Sequence, residues 1–123
     1  MTERRQAIGK AGEEAAVRYL CQHGYRILAR NYRCRFGEID LIARDGAMLA
    51  FVEVKTRRSH QYGPAAEAVT REKQRHLINA SLAYLMQQKK VDELCRFDVV
   101  TVEMDAQQPR IELIKDAFQA SGD

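Results

Sequence analysis

The sequence has no tryptophan, only two prolines and only three cysteines, and it holds no C-x-x-C pair. An odd number of cysteines spread as Cys21, Cys34 and Cys95 argues against a disulfide framework or a structural zinc site, so reduced thiols are expected. No stretch approaches the roughly 20 apolar residues that cross a bilayer. The N-terminal Met1-Thr2-Glu3-Arg4-Arg5 also lacks the apolar run of a signal peptide. A soluble, cytoplasmic protein without membrane contact is the expectation. Internal repeats, low-complexity tracts and proline-rich linkers are missing as well, which leaves residues 1–123 to be read as one domain. A hydrophobic fraction of 46% is enough for a core, and charged residues of both signs at 30% do not suit a disordered chain.

The net charge of +3 is modest, but its distribution is informative. From Tyr25 to Arg35, Arg26, Arg30, Arg33 and Arg35 interleave with Tyr25 and Tyr32 and no acid intervenes; Arg57-Arg58 and the segment from Arg71 to His76 add further basic clusters. Such a pattern can follow a phosphate backbone and stack on bases, which makes DNA the first candidate partner, with RNA also open. An edge strand guarded by arginines would read the same way.

Helical spacing of Ala16, Val17, Tyr19 and Leu20 predicts a helix from about Gly9 to His23, stopped by Gly24. Strand-like runs follow at Tyr25 to Arg33, Gly37 to Arg44 and Ala47 to Thr56, the last two joined by Asp45-Gly46 as a two-residue hairpin turn. A long helix is expected from about Ala65 to Lys89 with Leu77, Ile78, Leu82 and Leu85 inward, then strands at Arg96 to Glu103 and Arg110 to Ile114. The fold class is therefore α/β (α+β): a mixed sheet in αβββαββ order flanked by helices.

Glu38, Asp40, Glu53 and Lys55 lie in strands, where these residue types are depleted. With Asp45 and Gly46 central in the turn, Asp40 stands opposite Phe51 and Glu38 opposite Glu53. Asp40 and Glu53 become diagonal neighbours, and Lys55 follows on the same side. The other face, with Ile39, Leu41, Ala43, Met48, Ala50, Val52 and Val54, reads as core. Clustered carboxylates repel, and Mg²⁺ (or Mn²⁺), which prefers oxygen ligands, would offset that repulsion. Beside it, Lys55 can orient a nucleophile and stabilise developing negative charge. The ordinary alternative is a surface hairpin in which Glu38 or Glu53 pairs with Lys55 or an arginine.

Helical phase turns Glu13 inward with Ala16, Val17 and Leu20, whereas Glu14 is placed to pair with Arg18. Glu13 can complete a metal or water shell, or simply favour the helix N-terminus. Lys73 shares a face with Val69 and Leu77, from which it can reach a phosphate or snorkel over the core. Asp98 reads as a structural acid paired to an arginine, and His23, His60 and His76 as surface residues. Gly9 and Gly12 lack the preceding strand and the G-K-[ST] ending of a phosphate-binding loop.

Gly9-Lys10-Ala11-Gly12-Glu13, Gly37-Glu38-Ile39-Asp40-Leu41-Ile42-Ala43, Phe51-Val52-Glu53-Val54-Lys55-Thr56-Arg57, Ala68-Val69-Thr70 with Lys73, and Arg96-Phe97-Asp98-Val99-Val100 together resemble the uncharacterised bacterial YraN-type family over nearly the whole chain. That family is similar to the restriction-endonuclease-like PD-(D/E)xK superfamily, near archaeal Holliday-junction resolvases. The resemblance implies a helix-sheet-helix fold and Mg²⁺-dependent phosphodiester hydrolysis. It further implies Asp40 and Glu53 as metal ligands, Lys55 as the catalytic lysine and Glu13 as the helix-borne acid, with Ile39 replacing the proline of the superfamily's name. The leading expectation is a DNA endonuclease, acting on branched or otherwise structured DNA, for which a second copy of the chain is a candidate partner. A non-catalytic nuclease-fold module that binds nucleic acid through its arginines is the alternative. A scaffold with a structural acidic cluster is the third reading.

Overall fold

The computed structural model describes residues 3–57, 69–104 and 108–120. Helix α1 (Glu3–Gln22) leads into strands β1 (Arg26–Cys34), β2 (Gly37–Asp45) and β3 (Met48–Arg57). Helix α2 (Arg71–Gln87) and strands β4 (Cys95–Glu103) and β5 (Arg110–Phe118) follow. The strands form one sheet in the order β1-β2-β3-β4-β5. Only β3 and β4 run parallel. A parallel pair needs a crossover, and α2 supplies it. The αβββαββ mixed sheet is the predicted one and is consistent with a restriction-endonuclease-like architecture. Among the described residues no helix is long and apolar enough to cross a membrane.

Each face of the sheet carries one helix. Ala15, Ala16 and Leu20 of α1 pack on Leu41, Ala43, Ala50, Val52, Val100 and Val102. Leu77, Ala80, Tyr84 and Leu85 of α2 pack on Ile39, Ile42, Leu49, Phe51, Phe97 and Val99. Two covered faces explain why β3 is apolar without interruption from Leu49 to Val52, and they correct the expectation of one core face. Ile39 joins Ile42 on the α2 side while Leu41 lies on the other, so β2 loses strict alternation just ahead of Leu41. Met48 is only half-buried.

Several boundaries differ from expectation. α1 begins earlier, at Glu3, and Tyr19 stacks on His23 with ring centroids 4.0 Å apart instead of entering the core. α2 begins at Arg71, because Thr70 is extended and its hydroxyl accepts the Lys73 N–H at 3.2 Å, a cap that fixes the first turn. Val69 and Thr70 therefore precede the helix, and positions 65–68 of the expected helix lie outside the described residues. Leu82 is exposed on the outer face of α2. β5 continues past Ile114 to Phe118, whose ring stacks on Phe97.

The β2–β3 turn is displaced by one residue. Asp45 pairs with Met48, leaving Gly46 (φ +61) and Ala47 at the centre. Arg96 Nη2 and Lys115 Nζ hold the Asp45 carboxylate at 2.6 and 3.1 Å, which keeps Asp45 at the end of the strand. Moving the turn by one residue changes every pairing by two. Leu41, Ala43, Ala50 and Val52, expected on a common face, therefore stay on one, whereas Ile39 does not.

Candidate active site

The β2–β3 register pairs Ile42 with Phe51 and Leu41 with Val52, and one residue further along each strand Asp40 and Glu53 come within side-chain hydrogen-bond reach of one another. At that step the Val54 N–H donates to Asp40 Oδ2 at 2.8 Å. Glu53 is 5% exposed, on the face shared by Leu49 and Phe51. Its Oε1 is buried and accepts no hydrogen bond, while its Oε2 lies 3.7 Å from Lys73 Nζ. Burial, reinforced by the Asp40 charge and opposed by Lys73 and Lys55, pushes the Glu53 carboxyl up to about 8. Burial raises Asp40 as well, opposed by the Val54 N–H and reinforced by the charges of Glu38 and Glu13. Two carboxyls in contact in such a place share a proton.

Lys55 stands exposed two residues after Glu53, close enough for its charge to be felt there. From the helix side, Glu13 Oε1 accepts from Arg30 Nη2 at 3.1 Å and from Asn31 Nδ2 at 3.2 Å. Glu14 also binds Arg30, so the expected Glu14–Arg18 pair gives way to a bond across to β1. Adjacent strand residues normally point to opposite faces. Asn31 adopts a left-handed conformation (φ 55), which lets residues 30 and 31 both reach Glu13. Sequence reasoning missed Asn31, although an asparagine inside a strand-like run is itself an unusual feature. It also missed the use of Gly12. A Cβ there would lie 2.1 Å from Thr56 Oγ1, so only glycine allows α1 to press this closely on β3 beside Glu13 and Lys55.

The expected cluster is thus divided. Asp40 and Glu53 face each other, with Lys55 and Lys73 alongside. Glu38 is turned to Arg33 Nε at 2.9 Å. Among the described residues no group of three or more His, Cys, Asp or Glu side chains is arranged to hold a metal ion. A two-carboxylate site remains, which suits a hard divalent ion that keeps waters or takes substrate oxygens as its other ligands. The buried Glu53 Oε1 fits such an ion, because apart from a proton shared with Asp40 it meets no donor among the described residues.

This arrangement lies within the segment, residues 12–102, that matches the model of the uncharacterised protein family UPF0102. The chain belongs to the UPF0102 family. A UPF0102 protein of Geobacter metallireducens is 49% identical over 119 residues, covering 97% of this chain and 98% of its own length. One from Syntrophus aciditrophicus is 56% identical over 112 residues, covering 90% and 87%. One from Symbiobacterium thermophilum is 53% identical over 114 residues, covering 92% and 97%.

The basic residues expected to meet nucleic acid are placed unevenly on this family scaffold. β1 is an edge strand, as the alternative reading of its arginines required. Arg30 and Arg33 are occupied by Glu13, Glu14 and Glu38. Arg26 is exposed, and Arg35 is exposed with its guanidinium 4.8 Å from the Phe36 ring centroid. Arg57 ends β3, half-buried and opposite Glu103 in the parallel register.

Proposed function

We propose that this chain is a Mg²⁺- or Mn²⁺-dependent DNA endonuclease of the restriction-endonuclease-like PD-(D/E)xK type, hydrolysing phosphodiester bonds in branched or otherwise structured DNA. The observation that carries the reading is the buried Glu53 Oε1, which meets no protein N–H or O–H donor, beside the Asp40 carboxyl. In support stand the αβββαββ order and the run Asp40…Glu53-Val54-Lys55 on adjacent strands. Asp40 and Glu53 would hold the cation, which supplies charge neutralisation at the phosphate and a more acidic bound water. The Lys55 ammonium, kept at the solvent side of the pair, orients the attacking water and stabilises charge developing on the phosphoryl oxygens. Glu13, held by Arg30 and Asn31, accepts a hydrogen bond from water on the helix side. Arg26 and Arg35 would contact the phosphate backbone.

A second reading, a nuclease-fold module that binds nucleic acid without cutting it, is favoured by the engagement of Glu13 and Glu38 with arginines. Incubation of linear, flapped and four-way DNA with Mg²⁺ or Mn²⁺ separates the two. The expected result is selective cleavage by the parent. Lys55→Ala should abolish cutting while leaving DNA affinity within a few-fold, since a catalytic lysine acts mainly on the transition state. Proportional loss of affinity and cleavage would reduce Lys55 to a phosphate contact. Binding without cleavage by the parent, under every cation, would favour the module.

A further inference from the structure

Lys73 occupies a position that its own helix disfavours. It is the third residue of α2, where its N–H is taken by the Thr70 cap and the positive end of the helix dipole repels a cation. Nothing in α2 itself offsets this beyond Glu72 in the same turn. The compensation comes from outside the helix: Nζ lies 3.7 Å from Oε2 of the buried Glu53, and its charge opposes the rise in that carboxyl's affinity for protons. The distance is that of a loose ion pair, longer than a charge-assisted hydrogen bond, and the lysine side chain is 41% exposed. A loose, half-exposed ammonium on a flexible stem can leave without unfolding anything.

Resting on the two-carboxylate reading of the site, we propose that Lys73 is an exchangeable counter-ion: its ammonium stands in for the divalent cation beside Glu53 and, when the cation arrives, is released to a substrate phosphate. The physical reason for exchange is that both cations compete for the same carboxylate. A divalent ion in contact with Asp40 and Glu53 satisfies Glu53 better than a lysine at 3.7 Å, and two adjacent cations repel. The released ammonium then faces solvent on the same side of the sheet as Lys55. There a phosphodiester bound to the cation is the nearest anion. Metal loading thereby switches on a phosphate contact, so DNA and divalent ion bind with positive coupling.

Titration calorimetry of the full chain with Mn²⁺ alone tests the exchange. Lys73→Met should bind Mn²⁺ about three- to fivefold more tightly than the parent, the effect expected of removing a competing, partly exposed ion pair. Arg75→Gln, which removes a cation of the same helix, should change Mn²⁺ affinity less than about twofold because its charge is solvated and screened. Equal effects from the two variants would make Lys73 part of a general field and overturn the proposal. Unchanged or weaker Mn²⁺ binding in Lys73→Met would overturn it too, while leaving the metal site itself standing. A parent that binds no Mn²⁺ would remove both. A second measurement needs no variant: acylation of Lys73, followed by mass spectrometry, should rise on Mn²⁺ saturation and fall when duplex DNA is added. Labelling that ignores Mn²⁺ would show that the lysine is never displaced.

Discussion

Two acidic centres are buried in neighbouring strands of one sheet, and they are treated oppositely. On the α1 side Asp98 is wholly enclosed and wholly satisfied. Tyr25 Oη donates to it at 2.8 Å, Arg96 Nε at 2.9 Å and the Asp116 N–H at 2.9 Å. Arg96 extends the network to Asp45, which Lys115 also binds. On the α2 side Glu53 faces a second carboxyl, lacks a donor at Oε1 and has a lysine only at 3.7 Å. The same sheet can evidently satisfy a buried acid completely. Leaving another one short, beside the exposed Lys55 and half-exposed Lys73, is the arrangement that the proposed cation site calls for.

The contrast is sharpest in stability. Asp98→Ala takes the acceptor from Tyr25 Oη, the Asp116 N–H and Arg96 Nε, leaving Arg96 only the Asp45 carboxylate, and should lower unfolding free energy by about 3 kcal/mol in denaturant titrations. Glu53→Gln removes a carboxyl that its surroundings oppose, so in chelator its stability should equal or exceed the parent's. If Glu53→Gln were as damaging as Asp98→Ala, both acids would be structural and the distinction would fail.

Acidity gives the next test. Between its ordinary value near 4.5 and about 8, the folded Glu53 retains a proton that the unfolded chain has released. The native state binds more protons there, so stability measured in chelator should fall as pH rises through that window and level off above it. Asp40, also raised, acts in the same direction. Glu53→Gln should flatten the profile, whereas Tyr25→Phe should lower stability without altering its slope between those limits. A parent profile that rises from pH 4.5 to 8 would mean that Glu53 is well paired when charged.

Divalent cations should close the gap between the two centres. At about 100 times its dissociation constant, Mn²⁺ should stabilise the chain by about 2.7 kcal/mol. At one fixed Mn²⁺ concentration the shift should be larger at pH 8 than at pH 6, because less bound proton must then be displaced and the dissociation constant is lower. Asp40→Asn should reduce it and Asp98→Asn should not.

Sequence patterning made part of this visible. Charged residues inside strand-like runs point to Asp40 and Glu53 as neighbours, and the two side chains do interact, although the turn falls one residue later than the pattern predicts and β2 breaks its alternation beside Asp40. Glu13 was legible from helical phase, and the pairing of Asp98 with an arginine from strand composition. The Tyr25–Asp98 bond joins residues 73 positions apart, and no periodicity reports such a contact. The left-handed Asn31, the close passage of Gly12 past Thr56 and the reach of Lys73 to Glu53 depend likewise on tertiary placement.

The smallest expected effects concern the arginines, and they compare free with engaged side chains on one edge strand. Arg26 and Arg35 are exposed, so each should behave as a simple phosphate contact. Removing either should weaken DNA binding a few-fold and reduce the slope of log affinity against log salt by about one unit, alike across sequences. Arg33 must first part from Glu38, and the exchange of one anion for another should make Arg33→Ala shift the slope less. Arg30→Ala differs again: it releases Glu13 and Glu14, adding repulsion near the site, so its deficit in affinity relative to the parent should be largest at low salt and shrink as screening increases. Four equal slope changes would mean that the acidic partners let go whenever DNA binds. No change in any of the four would remove β1 from the nucleic-acid surface.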